Sequence, residues 1–359
     1  VRPPEEISEW LLRLLRRWDT CSKEWIVRQY DHEVQGGSVL KPISLGPSDA
    51  AVLRPRLDSF RGIVLANGIN FRYGDLDPYW MAALAIEEVV RQVVAVGGSL
   101  DRLAILDNFC WGDPTRMDVL GSLVRAALGC YDAAKAFGTP FISGKDSLYN
   151  EYRLQGTTIQ IPGTLLISGI GILGDTRRVI SMDAKRAGNL LYMVGLTRRE
   201  LGGSAYYDLL GVAGGQVPRV DFVQAPRQME ALSRALMQGF GVAAHDCSEG
   251  GLGVAAAGMA FAGGLGLTLD LRTLPLEQGQ GARTIREDEA LFSESSSRIL
   301  AEVPAEHAAS FERGLAGFPI GRFGQFSAQP VFRVIGFNGQ PLLQVPINHL
   351  REAWEQPLR

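Results

Sequence analysis

The chain has 359 residues, 46% of them hydrophobic and 21% charged, with a formal net charge of −3. That length and composition accommodate about two domains with sizeable cores, and the near-neutral charge excludes a field strong enough to draw nucleic acid or an acidic membrane surface. No apolar run reaches the ~20 residues a membrane span needs; Cys21, Cys110, Cys130 and Cys247 form no CxxC pair, which argues against zinc and a disulfide framework and for a reducing cytoplasm.

The chain opens at Val1 with no signal-peptide segment, and the missing Met predicts a piece of something longer. Over residues 5–18, Ile7, Leu11, Leu12, Leu14 and Leu15 stand among charges as on one face of an amphipathic helix. Residues 39–43, 50–53 and 62–66 read as strands. A helix is expected over 78–96, with Pro78 in its first turn and Gly97-Gly98 at its end. Residues 100–106 read as a strand, 117–137 as a long helix, and 141–143 as a short strand. Residues 164–173, apolar and studded with glycine, read as a buried strand. The polar, Arg-rich stretch 175–186 is the best boundary, and NLLYMVG (189–195) restarts the pattern with a strand. Helices are expected at 225–240, 250–262 and 305–315, and strands at 242–245, 267–271, 298–303, 320–326 and 331–335. This alternation predicts an α/β or α+β protein with an N-terminal helix (1–20), a first domain (21–178), a second domain (187–345) and a tail helix (346–359).

Four segments place acids where metal or phosphate chemistry needs them. Asp49 sits in GPSDAAV before a strand, Glu87 and Glu88 lie mid-helix, and Asp107 and Asp246 each end a predicted strand. Mg²⁺ takes a few carboxylates plus phosphate oxygens, and helical spacing puts Glu88 and Gln92 on one face. Each acid taken singly reads equally as a turn or cap residue. In SEGG (248–251) a strand hands over to a helix, whose free N–H groups attract phosphate; the alternative is Ser248 as a plain N-cap. In SGKDSLYN (143–150), Gly144 allows a tight turn, Lys145 offers a compact cation and Ser147 a hydroxyl. The alternative there is a polar turn with a solvated lysine. No P-loop and no GxGxxG following a strand is present.

These segments in this order resemble the second half of the phosphoribosylformylglycinamidine synthase family, within the aminoimidazole-ribonucleotide-synthase-like ATP-binding (PurM-like) superfamily. The resemblance runs from about residue 20 to the end. It rests on GKDS followed by LYNE (144–151), on HDCSEGGL (245–252) followed by LFSESSSR (291–298), and on the tail LREAWEQPL. It implies two-domain units in a pseudo-twofold arrangement, whose first-domain strands join into a barrel, and an amidoligase of purine synthesis. ATP phosphorylates the substrate amide oxygen and ammonia displaces the phosphate.

The resemblance carries over Asp107, Gly144 and Ser48 as ATP contacts, with Ser147 and Lys145 at the substrate, Lys145 as a point charge on phosphate. An auxiliary nucleotide–Mg²⁺ site is implied at Asp49, Glu88, Gln92 and Asp246 as metal ligands, with Ser248 touching nucleotide. Gln92 stands where Asn is usual, and Asn67 replaces an Asp common in the small form. The family's catalytic histidine segment, HNHP-like, belongs to the other half and is absent here, as is a glutaminase nucleophile elbow. His245 is expected to be a hydrogen-bonded neighbour of Asp246 rather than a base. The chain alone is therefore expected to be inactive. Expected partners are the missing first half, a glutaminase, a small accessory subunit, and a pseudo-dimer or homodimer through the first domain. Alternatives are a module holding ADP–Mg²⁺ for stability, or a homodimeric aminoimidazole-ribonucleotide-synthase-like enzyme.

Overall fold

The computed structural model describes residues 6–30, 32–41, 43, 45–278 and 285–358. Glu5, in the expected first helix, and Pro42, in the expected first strand, lie outside the described residues.

The first half is built on β1 (Ser38–Leu40), β2 (Ala51–Leu53), β3 (Gly62–Ile69), β4 (Leu103–Cys110), β5 (Phe141–Ser147), a small hairpin of β6 (Glu151–Leu154) and β7 (Thr157–Gln160), and β8 (Thr164–Leu173). The main sheet runs β1-β2-β3-β8-β4-β5, with only β4 and β5 parallel. Two helices cover one face, α1 (Pro78–Ala95) and α2 (Met117–Phe137). Helix α1 starts where Asp77 accepts from the Tyr79 N–H at 3.1 Å and Pro78 occupies the first turn. Alanine and valine line it on most sides, so it is buried nearly all round. Glycine lets it press directly on the sheet: a Cβ at Gly68 would stand 2.1 Å from the Ala85 carbonyl oxygen.

The opposite face of this sheet is apolar too, and it is uncovered. Leu65 pairs with Ile170 and Ile63 with Ile172; Leu65 and Ile172 are each 38% exposed. An antiparallel sheet with one wet face ordinarily alternates apolar with polar. The β8 segment is thus buried on one side only, and among the described residues the sheet is open and closes no barrel.

The second half carries β9 (Leu190–Val194), β10 (Ala243–Asp246), β11 (Gly266–Asp270), β12 (Ile299–Val303), β13 (Ile320–Ser327), β14 (Val331–Ile335) and β15 (Pro341–Pro346), ordered β10-β12-β9-β13-β11-β14-β15. Helices α3 (Gln224–Met237), α4 (Gly251–Gly263) and α5 (Ile347–Glu355) pack on it. The N-terminal helix Ile7–Leu15 buries Leu11, Leu14 and Leu15 in this second core, beside α4 and α5. Trp354 of α5 donates its indole N–H to the Thr20 carbonyl at 3.0 Å. The first and last described helical segments therefore meet on the second half.

Several elements differ from expectation. Strand β4 extends to Cys110, so Asp107 lies inside a strand rather than at its end. Strand β5 extends to Ser147, so Gly144 sits in a strand rather than a turn, held by the parallel ladder to β4. The β6–β7 hairpin and β15 appear where no strand was expected.

Candidate functional site at the seam

Charged side chains wire the two halves together. The GPSDAAV loop is pressed against α4, where a Cβ on Gly46 would meet that of Ala262 at 2.8 Å. This brings Asp49 to the end of β10. Its Oδ1 accepts from His245 Nδ1 at 2.9 Å and from the Asp246 N–H at 2.8 Å. His245 is thus bonded to Asp49, not to Asp246 as expected. Asp49 Oδ2 is buried and has no hydrogen-bond partner among the described residues. Asp49, His245 and Asp246 present ligand atoms all within 4.8 Å of one another. This hard-oxygen pair with one imidazole, and its orphaned oxygen, fit a divalent cation.

Glu88 reaches the same region from α1. Its Oε2 accepts from the Ile69 N–H at 3.1 Å and from Asn70 at 3.0 Å, and its Oε1 accepts from Gln92 at 3.4 Å. The Gln92 carbonyl oxygen accepts from the Asn67 N–H at 3.1 Å. Gln92 is therefore engaged with both Glu88 and the Asn67 backbone. Ser48 stands next to Asp49, half-buried, with no hydrogen bond from its hydroxyl among the described residues.

Arg91, which sequence reasoning left aside, and Glu87, named there only as a mid-helix acid, complete the seam. Arg91 is buried, 3.2 Å from Glu87 Oε2 and 3.6 Å from Asp246 Oδ2, and it donates to Ser248 Oγ at 3.3 Å. Glu87 in turn accepts from the Ser297 N–H at 3.0 Å, in the second half. The signal was present in the i,i+4 spacing of Glu87 and Arg91, although nothing local shows that the pair turns inward.

The SEGG segment departs from both earlier readings. Gly250, with φ of 76°, occupies the N-cap position, and Ser248 donates instead to Asp246 Oδ2 at 2.6 Å. The Gly250 N–H donates to Glu294 Oε1 at 2.8 Å and the Gly251 N–H to the Ser248 carbonyl at 2.9 Å, so these two groups are not free for phosphate.

Burial raises the carboxyl pKa of Asp49 against the pull of His245. Glu88 lies well above its ordinary value through burial and the Glu249 charge. Glu249 is pushed up to about 7 by burial and by Glu294. Glu249 and Glu294 line a cavity of about 200 Å³ with Asp19, Asn70, Arg72 and Tyr73. Glu294 is itself satisfied, accepting from the Tyr73 hydroxyl and from the Ala205 N–H at 2.9 Å.

The second group of residues lies apart, on β4 and β5. Asp107 opposes Gly144 in the ladder, and its Oδ1 accepts from the Lys145 N–H at 3.3 Å. The Lys145 ammonium donates to the Ser147 hydroxyl. β5 is an edge strand, exposed from Phe141 to Asp146. Among the described residues no hydrogen bond or ion pair joins this group to the Asp49 cluster.

Residues 47–172 match the family described as AIR synthase related protein, N-terminal domain, and residues 186–335 match AIR synthase related protein, C-terminal domain. The chain belongs to the AIR synthase related family, and its α/β fold is that family's two-domain architecture. Along nearly its whole length it is similar to phosphoribosylformylglycinamidine synthase subunit PurL. The Deinococcus radiodurans protein of that name is 34% identical over 362 residues, 99% of this chain and 47% of that protein. The chain thus spans about half the length of the curated relatives it matches. Thermotoga maritima PurL complexed with FGAR superposes with a TM-score of 0.75 at 19% identity, over 99% of this chain and 55% of that one. The same protein complexed with ATP gives a TM-score of 0.70 at 18% identity, over 99% and 53%. Among the described residues no helix is long and apolar enough to cross a membrane.

Proposed function

We propose that this chain supplies the second half of a phosphoribosylformylglycinamidine synthase, an ATP-dependent C–N ligase that converts formylglycinamide ribonucleotide to formylglycinamidine ribonucleotide. The observation that carries the reading is an incomplete surface. Leu65, Ile170 and Ile172 form an uncovered apolar face, and β5, which bears Lys145 and Ser147, is an unpaired edge. An uncovered apolar face beside an unpaired strand edge is a surface that a partner would cover. A matching first half would cover both and close a barrel, bringing its own catalytic histidine to Asp107, Gly144, Lys145 and Ser147.

Within that site, Asp107 and Gly144 contact ATP, Ser147 holds substrate by its hydroxyl, and Lys145 places one positive charge on phosphate. In the transfer, the amide oxygen takes the γ-phosphoryl group of ATP, and ammonia then displaces phosphate. The seam cluster is a separate, auxiliary nucleotide site. Its carboxylates, Asp49, Asp246 and Glu88, repel a polyphosphate by themselves. They would hold Mg²⁺ with Gln92 beside them, Ser48 and Ser248 then facing the nucleotide; the ion's chemistry there is to neutralise phosphate charge. Domain limits of 21–178 and 187–345, with flanking helical ends at 1–20 and 346–359, fit this division of labour. A glutaminase supplying ammonia, a small accessory subunit and a cytoplasmic setting complete the proposal.

The test is turnover. Ammonia, ATP and formylglycinamide ribonucleotide are incubated with the chain alone and with a co-expressed first half. Activity is expected only in the second mixture; turnover by the chain alone refutes the reading. ADP retained through purification without turnover supports the auxiliary site as a structural nucleotide holder.

A further inference from the structure

The seam already contains a cation of its own. Arg91 is permanently charged and only 4% exposed. It lies 3.2 Å from Glu87 Oε2 and 3.6 Å from Asp246 Oδ2, and it donates to Ser248 Oγ at 3.3 Å. Ser248 adds its own hydroxyl to Asp246 Oδ2 at 2.6 Å. That oxygen is therefore occupied. So is Asp49 Oδ1, by His245 and the Asp246 N–H, and so are both oxygens of Glu88. What remains is Asp49 Oδ2, buried without a partner, and Asp246 Oδ1, which accepts no hydrogen bond among the described residues.

We infer that Arg91 and a divalent cation are alternative occupants of one charge position at the seam, so that cation binding requires Arg91 to leave Asp246. The inference rests on reading Asp49 and Asp246 as metal ligands. Two cations sharing Asp246 in a buried, weakly screened site repel strongly. Arg91 has somewhere to go: Glu87, one turn earlier on α1, keeps hold of the guanidinium after Asp246 is released. The consequence is a seam that stays closed in either state. Without the ion Arg91 ties α1 to the end of β10; with it, the ion joins Asp49 to Asp246. A site of this construction binds its cation weakly when empty of nucleotide and does not depend on it for folding.

The probe is Mn²⁺ with ADP, titrated into the full 359-residue chain and followed by electron paramagnetic resonance. Arg91→Met removes the competing charge and should bind Mn²⁺ at least about tenfold more tightly than the unaltered chain, a small part of what a unit charge ~4 Å away exerts at an effective dielectric of about 20. Its thermal midpoint should fall in EDTA and recover with Mn²⁺, whereas the unaltered chain melts alike in both. Should Arg91→Met fail to fold, Arg91→Lys serves instead. It keeps the ion pair to Glu87 but lacks the planar fork that also reaches Asp246, and it should bind Mn²⁺ about threefold more tightly. Equal or weaker Mn²⁺ affinity in a folded variant overturns the inference while leaving the metal ligands in place. Mn²⁺ binding by neither the unaltered chain nor the variants overturns it together with the ligand assignment.

Discussion

Asp107 and Gly144 stand opposite each other in the parallel β4–β5 ladder, so close that a Cβ on Gly144 would lie 2.7 Å from Asp107 Oδ1. The glycine is there for space, not for turning: its φ is not in the left-handed region, and the strand runs on to Ser147. A bare backbone on an exposed strand leaves the carboxylate room to face whatever docks there. Gly144→Ala should therefore displace Asp107 while costing the fold only about 1 kcal/mol, because the edge strand can yield. In the proposed assembly with a first half, ATP affinity measured by calorimetry should drop at least about tenfold. Unchanged affinity would remove Asp107 from the nucleotide contacts.

Glu87, fully buried on α1, pairs with Arg91 of the same helix and accepts from the Ser297 N–H of the second half. Glu87→Gln retains an acceptor for Ser297 but withdraws the charge facing Arg91. Removing one partner of a buried pair leaves the other uncompensated, at a cost of about 3 kcal/mol. Urea unfolding should show this as an earlier midpoint; an unshifted midpoint would mean that Asp246 alone satisfies Arg91.

Glu249 should make the protein less stable as pH rises. Its carboxyl is held at about 7, above the ordinary 4.5. Between those values the folded chain binds more protons at this group than the unfolded chain does. The linkage slope is then negative, and stability falls from about pH 4.5 up to about pH 7, after which the penalty is complete. Glu249→Gln should flatten that part of the profile in EDTA and raise stability at pH 8 by about 1–2 kcal/mol, after allowance for partial solvent access. A variant whose pH profile overlays the original one would contradict the assignment.

The apolar face tests the missing partner. Ile170 is half-buried and pairs with Leu65 on the uncovered side of the first sheet, away from α1 and α2. Ile170→Asp should leave far-ultraviolet circular dichroism and the melting midpoint nearly unchanged, since the residue points away from the packed core. It should abolish co-purification with a first half, because a carboxylate buried there would be unpaired. Persisting association would place the interface elsewhere.

Much of the architecture was legible locally. The cap and proline at Asp77-Pro78, the glycines after Val96, the valine- and alanine-rich run between them, and the apolar strand ending at Leu173 all announce their elements by period and punctuation. The boundaries of β4 and β5 did not, because Asp107, Gly144 and Lys145 are strand residues chosen for what they face rather than for strand propensity. Nor did the fate of the SEGG glycines: the Gly250 N–H is claimed by Glu294, more than 40 residues further on, and the Gly251 N–H by the Ser248 carbonyl.

The sequence by itself determined the family, the alternation of elements and the roster of acids, since these depend on residue order and short-range spacing. Only the tertiary structure decided that Asp49, nearly 200 residues from Asp246, would be hydrogen-bonded to it in one buried cluster, that Arg91 would be a buried cation beside that cluster, and that one apolar sheet face would be left bare. The physical reason is range. Periodicity reports which way a side chain points from its own element, whereas the partner that neutralises a buried charge or covers an apolar face is chosen by how distant elements pack.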